Sequence, residues 1–408
     1  MSKLRVVNFG PINEGLIGDA FIEIKKVTTF IGNQATGKSS VAKLYSTIAW
    51  IEKSLFRQQL KINDVVKYNR FINRHCDYQG IKNYFKKNTI IEYQGSFIDL
   101  VHENGKTHIY EKQNSEAFLL PKIMYVPAER NFLSLVDSPD KLKYLPSPLY
   151  TFLDEFERSK SEISKPIQLP LNNISFEFQR QNKISYIRGE DFRLRLSEAS
   201  SGIQSMLPLF LVSKNIAESI NSKSESNIKS LTLKELKKIR KEVDAILKMG
   251  DISDEIKSVL LERLSNTYKN RCFINIVEEI EQNLFPESQR KLVNELLKVN
   301  NLNNGNRLIL TTHSPYIINY LTLAIKGFQI SKNIPSNNNS PKSRIEKIVP
   351  IESLISGEDV SIYEFQEDGI IRKLKNYEGI PSDENFLNKY LYETNILFDD
   401  LLEVEQSL

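Results

Sequence analysis

Apolar residues mark out the elements along the chain. Residues 4–9 (Leu-Arg-Val-Val-Asn-Phe) read as a strand closed by the turn signal Gly10-Pro11, and residues 21–24 are placed to pair back on it. Residues 27–31 form a β-branched run ending at Gly32, the pattern of a strand buried on both faces. From Ser39 to about Leu60, Val41, Leu44, Tyr45, Ile48 and Ile51 recur at threes and fours, which predicts a helix. Residues 89–93, 96–101 and 107–110 predict an antiparallel meander turning at Gly95 and Asn104-Gly105, with another short strand at 122–126. The polar, Lys/Glu-rich block 222–267 predicts a helical hairpin. Thr232 and Glu235 have capping-box spacing, Leu233, Leu236, Ile239, Val243 and Ile246 form one stripe, and Gly250 is a stop before a second helix around 254–264. Apolar strands at 271–277 and 307–311 flank a helix near 286–299, a βαβ unit that requires parallel pairing. Residues 331–343 read as a linker, 360–365 and 370–374 as a hairpin turning at Asp368-Gly369, and the tail from Asp383 as an acidic helix.

Composition narrows the class. The 408 residues, 40% hydrophobic and 26% charged, exclude collagenous, disulfide-stapled and wholly disordered chains. Two widely separated cysteines, Cys76 and Cys272, suggest neither a zinc site nor a disulfide framework. The longest apolar stretch, near 206–212, falls far short of the roughly 20 residues that span a bilayer, so a cytoplasmic protein with no membrane partner is expected. The net charge of +4 conceals two opposed blocks. Residues 51–87 hold nine basic against three acidic residues, with aromatics interleaved, and residues 383–405 hold seven acidic residues against Lys389. The ordinary reading of the first block is a solvated helical lobe. The functional reading is a surface for DNA or RNA, and the two blocks together suggest complementary docking surfaces.

Candidate chemistry begins at Gly32-Asn33-Gln34-Ala35-Thr36-Gly37-Lys38-Ser39, a complete G-x-x-x-x-G-K-[ST] motif that follows a predicted strand and opens a predicted helix. Its glycines let backbone N–H groups turn inward around a phosphate. Lys38 reaches the β- and γ-phosphates, Ser39 offers a hydroxyl to Mg²⁺, and the first helical turn through Ser40 points its positive end at the anion. The strand at 272–277 ends in Glu278-Glu279. One carboxylate could hold Mg²⁺ and the next polarise the attacking water; taken alone, the pair is an ordinary acidic helix start. Ser200-Ser201-Gly202, before an apolar helix, would by itself be an ordinary N-cap. Thr311-Thr312-His313-Ser314-Pro315 places a histidine at the end of the neighbouring strand.

The order of these motifs resembles the ABC-type ATPases of the SMC and OLD kind. Asn8-Phe9-Gly10-Pro11-Ile12 looks like their opening strand, and Glu278-Glu279-Ile280-Glu281, followed by Leu284-Phe285-Pro286, is similar to their Asp-Glu-Pro-Glu…Leu-His-Pro stretch, with Glu278, Ile280 and Phe285 replacing Asp, Pro and His. Tyr125-Val126-Pro127-Ala128-Glu129-Arg130 resembles a segment of AAA/OLD-like ATPases of bacterial anti-phage systems of the Septu and retron-linked kind. The resemblance implies an α/β fold: an ABC-type P-loop head with mixed sheets over residues 1–330, carrying a basic helical lobe at 51–87, a helical insertion at 215–267 and a small C-terminal α+β appendage at 331–408. It implies ATP and Mg²⁺ as cofactors and two heads meeting head to tail. Residues 32–40 would then hold the triphosphate, and Ser39 and Glu278 the metal. Glu279 would act as base, His313 as γ-phosphate switch, and Ser200, Ser201 and Gly202 would approach the nucleotide of the second protomer. It also implies a glutamine-bearing loop that the sequence does not locate. With no HNH pattern and no Asp-x-Asp, the chain is expected to control a separate effector, a nuclease or toxin. The alternatives are an SMC-like ATPase that clamps DNA and a nucleotide-gated scaffold in which hydrolysis hardly matters.

Overall fold

The computed structural model describes residues 2–113, 118–136, 141–142, 144–171, 173–221, 233–249, 253–335 and 339–406. The chain opens with β1 (Ser2–Phe9), β2 (Gly15–Leu16), β3 (Ile22–Ile24) and β4 (Val27–Gly32), then α1 (Lys38–Phe56) and the short α2 (Ile62–Val66). The meander is β5 (Phe85–Gln94), β6 (Ile98–Glu103) and β7 (Lys106–Glu111); Asn104 and Gly105 both take positive φ at its second turn, as a tight hairpin requires. After β8 (Pro121–Val126), α3 (Phe132–Leu135) and α4 (Ser147–Glu162) comes a small antiparallel sheet: β9 (Ile167–Gln168), β10 (Ser175–Gln179), β11 (Ile184–Arg188) and β12 (Arg193–Arg195). Then follow α5 (Ser201–Asn221), α6 (Leu233–Leu247), α7 (Asp254–Tyr268), β13 (Cys272–Val277), α8 (Pro286–Asn301), β14 (Arg307–Thr312), α9 (Pro315–Lys332), α10 (Asn339–Ile348), β15 (Val360–Phe365), β16 (Ile370–Lys373) and α11 (Phe386–Gln406).

Three layers position the site. The central sheet has the order β2-β16-β15-β4-β14-β13-β8, and its strands β15, β4, β14, β13 and β8 run parallel. Every residue of β4 and β13 is buried, because helices cover both faces of a parallel sheet. One face packs on α1, which is itself covered by the antiparallel sheet β3-β1-β5-β6-β7. The opposite face packs on α4, α5, α8 and α9. Glu52 pins α1 to the meander: its buried carboxylate accepts from the Tyr93 hydroxyl at 2.6 Å and from the Phe97 and Ile98 amides at 2.7 and 3.2 Å.

The mixed α/β fold expected from the sequence is present. The C-terminal α+β segment is joined to it closely, since β15 lies beside β4 and completes the central sheet, while β16 runs antiparallel to β15. Part of the expected linker is helical, because α10 begins at Asn339. The predicted hairpin α6–α7 is observed, but Thr232 of the capping-box pair and the stop Gly250 lie outside the described residues.

The basic segment 51–87 runs from the last turns of α1 through α2 and short 3-10 and π turns to the start of β5, and its composition overstates its surface charge. Lys53 and Arg57 are buried against Asn270, with Arg57 also donating to the Tyr268 carbonyl at 2.7 Å, and the acidic Glu52 is buried too. Its phenylalanines and tyrosines separate: Phe71 is fully buried, whereas Tyr68, Tyr78 and Tyr84 face solvent. His75 and His102 are buried core histidines, and both cysteines are buried free thiols. No helix among the described residues is long and apolar enough to cross a membrane.

Candidate active site

The phosphate loop leaves the end of β4 and enters α1 through three residues in unusual backbone conformations: Gly32 at φ 141°, Ala35 at φ 61° and Gly37 at φ 101°. Only glycine takes the first and third of these without strain. Gly37 also lies against Pro11 and Ile12, which explains why the opening Gly10-Pro11-Ile12 turn belongs to the site. Gly37 is the N-cap of α1 and offers no side-chain cap, and the first helical turn holds no acidic residue, so its amide donors stay available for an anion.

Lys38 is buried, and its ammonium donates to the carbonyls of Gly32 at 2.9 Å and Asn33 at 2.5 Å. Burial pulls its pKa down to about 8, against the opposing pull of Glu281 and Glu279. His313 stands 3.5 Å from the Lys38 ammonium through Nδ1 and 3.8 Å from a Glu279 carboxylate oxygen through Nε2. Burial and then the Lys38 charge depress the histidine pKa, so the ring is neutral near pH 7. His313 thus stands between the lysine and the carboxylate, beside the phosphate loop. Parallel register makes this possible, since β4, β14 and β13 are adjacent and end at the same level.

Glu278 is buried at the end of β13. Its carboxylate accepts from the Ala128 amide at 3.3 Å and lies 3.7 Å from Lys43, one turn beyond Ser39 on α1. A hydroxyl at Ser39 and a carboxylate at Glu278 are oxygen donors of the kind Mg²⁺ takes, and a metal held there would need further oxygens from a nucleotide or water. Among the described residues no cluster of three metal-ligating side chains exists, so the protein alone does not build a full cage. Glu279 is half exposed and sits at φ 43°, a left-handed conformation unusual for a glutamate. Its amide donates to the Thr311 hydroxyl at 3.1 Å.

Ser200 and Ser201 are exposed at the start of α5. Gly202 is required by closeness: a Cβ there would fall 2.8 Å from the Asn283 carbonyl. The structure therefore brings Lys38, Glu279 and His313 together beside the phosphate loop, sets Glu278 against Lys43 on α1, and leaves Ser200 and Ser201 on the surface.

Three residues have contacts at the site that the sequence alone does not assign to them. Lys43 balances Glu278, and its only signal is its place four residues after Ser39 on one helix face. Glu281 accepts the His313 amide at 2.5 Å and so holds the histidine turn. Arg130, wholly buried, donates to the carbonyls of both Glu278 and Glu279.

A pH dependence follows from Lys38. Only its protonated form attracts phosphate, and in the free chain that form is lost above about pH 8. Nucleotide affinity is expected to be flat below pH 8 and to fall by up to about tenfold per unit above it. Titration of a fluorescent ATP analogue between pH 7 and 10 checks this, and a flat profile to pH 10 would refute it.

The comparisons agree with part of this picture. The family model described as "AAA domain, putative AbiEii toxin, Type IV TA system" matches residues 274–319, from β13 through the His313 turn. No curated protein matches the chain. Among solved structures it is similar to an SMC head bound to the C-winged helix domain of ScpA (10% identity, 91% of this chain and 96% of that one, TM-score 0.36). It is also similar to the SMC head domain from Thermotoga maritima (10% identity, 78% and 90%, TM-score 0.31). A third is an Smc head with an extended coiled coil bound to the C-terminal domain of ScpA, derived from Pyrococcus furiosus (10% identity, 98% and 100%, TM-score 0.36). The strand–loop–helix at the phosphate loop and the parallel strands beside it define a P-loop α/β fold, and the matched span, which does not include that loop, is similar to part of an AAA domain.

Proposed function

We propose that this chain binds and hydrolyses ATP with Mg²⁺ as the switch subunit of a bacterial anti-phage complex, dimerising head to tail on ATP and controlling a separate effector such as a nuclease. The observation that carries the ATPase reading is the Lys38–His313–Glu279 line, with separations of 3.5 and 3.8 Å. Lys38 exchanges its two loop carbonyls for phosphate oxygens. Ser39 and Glu278 would be the protein oxygens that hold Mg²⁺, which when bound would supply charge neutralisation at the phosphates. Glu279 orients the attacking water and takes its proton, and His313, neutral, donates to the γ-phosphate.

The exposed Ser200-Ser201-Gly202 turn supports completion of the site by a second copy. Mixing two inactive variants tests this. Lys38→Ala and Ser200→Arg, each inactive alone, are expected to recover about a quarter of wild-type turnover when mixed, since half the dimers are mixed and each has one intact site. No recovery in mixtures shown to associate would overturn the head-to-tail arrangement. The effector is tested by co-purifying the chain with products of neighbouring genes, with and without ATP. ATP-independent retention of none of them removes nothing from the ATPase reading but sinks the switch role if ATP also retains none.

A second reading, an SMC-like ATPase that grips DNA, is favoured by one observation. After Lys53, Arg57 and Glu52 are set aside as buried, residues 51–87 still present seven basic against two acidic side chains, beside exposed Tyr68, Tyr78 and Tyr84.

A further inference from the structure

Arg130 is the largest fully buried side chain among the described residues, and it is charged. A buried guanidinium is costly unless its donors are satisfied. Here four of its five N–H donors go to backbone carbonyls. Nη1 donates to the Glu278 carbonyl at 2.7 Å and the Pro127 carbonyl at 3.2 Å, Nη2 to the Glu279 carbonyl at 2.7 Å, and Nε to the Ser205 carbonyl at 3.0 Å. One planar fork therefore ties together the turn after β8, the acidic end of β13 and the first turn of α5.

These acceptors make the contact more than a packing device. Glu278 and Glu279 are the metal and water carboxylates of the proposed site, and Glu279 sits at a strained φ of 43°, so its peptide must be held. Ser205 lies one turn beyond Gly202, on the helix whose exposed start would meet the second protomer's nucleotide. The same joint carries a second tie, from the Asn283 side-chain amide to the Ser205 hydroxyl at 3.0 Å. A planar cation held by four hydrogen bonds between two such elements passes displacement of one to the other, because packed interiors do not deform continuously.

We infer that Arg130 is the positioning residue that couples this protomer's phosphate site to its signature turn, locking the Glu278–Glu279 peptide to α5 so that filling one site sets the surface offered to the other. This rests on the dimer reading above.

The test uses the full chain carrying Glu279→Gln to stop turnover, with Arg130→Lys added. Lysine keeps the charge but cannot span four carbonyls. Binding of a fluorescent ATP analogue at low protein concentration reads the single-chain site, and sedimentation with ATP and Mg²⁺ reads association. Arg130→Lys is expected to bind nucleotide within about threefold of its parent and to associate at least about tenfold more weakly. Undiminished association overturns the inference, as does equal loss of binding and association, which would mean simple collapse of the site. Should Arg130→Lys fail to fold by circular dichroism, Asn283→Ala decides by the same split, because it removes the second tie of the joint and leaves the buried cation in place. A parent that binds nucleotide yet stays monomeric overturns the dimer reading, and this inference with it, before any Arg130 variant is read.

Discussion

Glu279→Gln is expected to slow ATP hydrolysis by about 10²–10³-fold while leaving nucleotide affinity within a few-fold of wild type. Glutamine keeps the shape and the strained turn but cannot take a proton. The neighbouring His313 is neutral near pH 7, held so by burial and by the Lys38 charge, so it does not tie Glu279 up in a permanent ion pair. The carboxylate is thus free to accept the proton of a bound water. Single-turnover hydrolysis beside equilibrium binding separates the two quantities. Unchanged turnover would remove Glu279 as the base and leave Glu278 and Glu281, the latter bonded to the His313 amide, as the neighbouring carboxylates. The variant also separates an enzyme from a nucleotide-gated scaffold. If Glu279→Gln supports assembly and cellular activity in full while Lys38→Ala abolishes both, binding is the working step and hydrolysis is not.

The elements that position this site were legible in the sequence because local pattern and topology agree there. The β-branched run 27–31, the glycine-rich loop and the three-four spacing after Ser39 each demand one conformation, and β4 and α1 follow within a few residues. The βαβ unit at 272–312 was equally plain, since two short apolar strands around a helix can pair only in parallel. Long-range contacts were not legible. Nothing local in Val360–Phe365 announces that it pairs with β4 across more than three hundred residues, so the C-terminal segment read as an appendage while its hairpin completes the central sheet. Lys53 and Arg57 read as surface charge because composition cannot show that Asn270 waits for them inside. Arg130 was quoted only as part of a resembling segment. Its role depends on carbonyls from three distant turns, and backbone acceptors carry no residue identity for a sequence to display.

That concealed strand pairing has its own large consequence at Gly32. Gly32 pairs with Phe365 across β4 and β15, and a Cβ on Gly32 would fall 2.2 Å from the Phe365 carbonyl oxygen. The carbonyl cannot retreat easily, because Phe365 is also paired with Ile371 on the other side. Gly32→Ala therefore combines a backbone clash with a φ of 141° that L-residues avoid, and is expected to cost about 2–4 kcal/mol of stability and to abolish nucleotide binding. Gly18 supplies the control. It also has positive φ, at 77°, but a Cβ there meets nothing within 4 Å, so Gly18→Ala carries only the conformational strain of about 1 kcal/mol and leaves nucleotide binding intact. Urea midpoints of the two variants, read with the binding titration, measure the difference. Equal losses of stability would mean that β15 does not press on the phosphate loop, and the joining of the C-terminal segment to the site would have to be given up. A loss at Gly32 well beyond that at Gly18 ties the phosphate loop's shape to residues 360–365, so that any partner pulling on the C-terminal segment would be pulling on the nucleotide site.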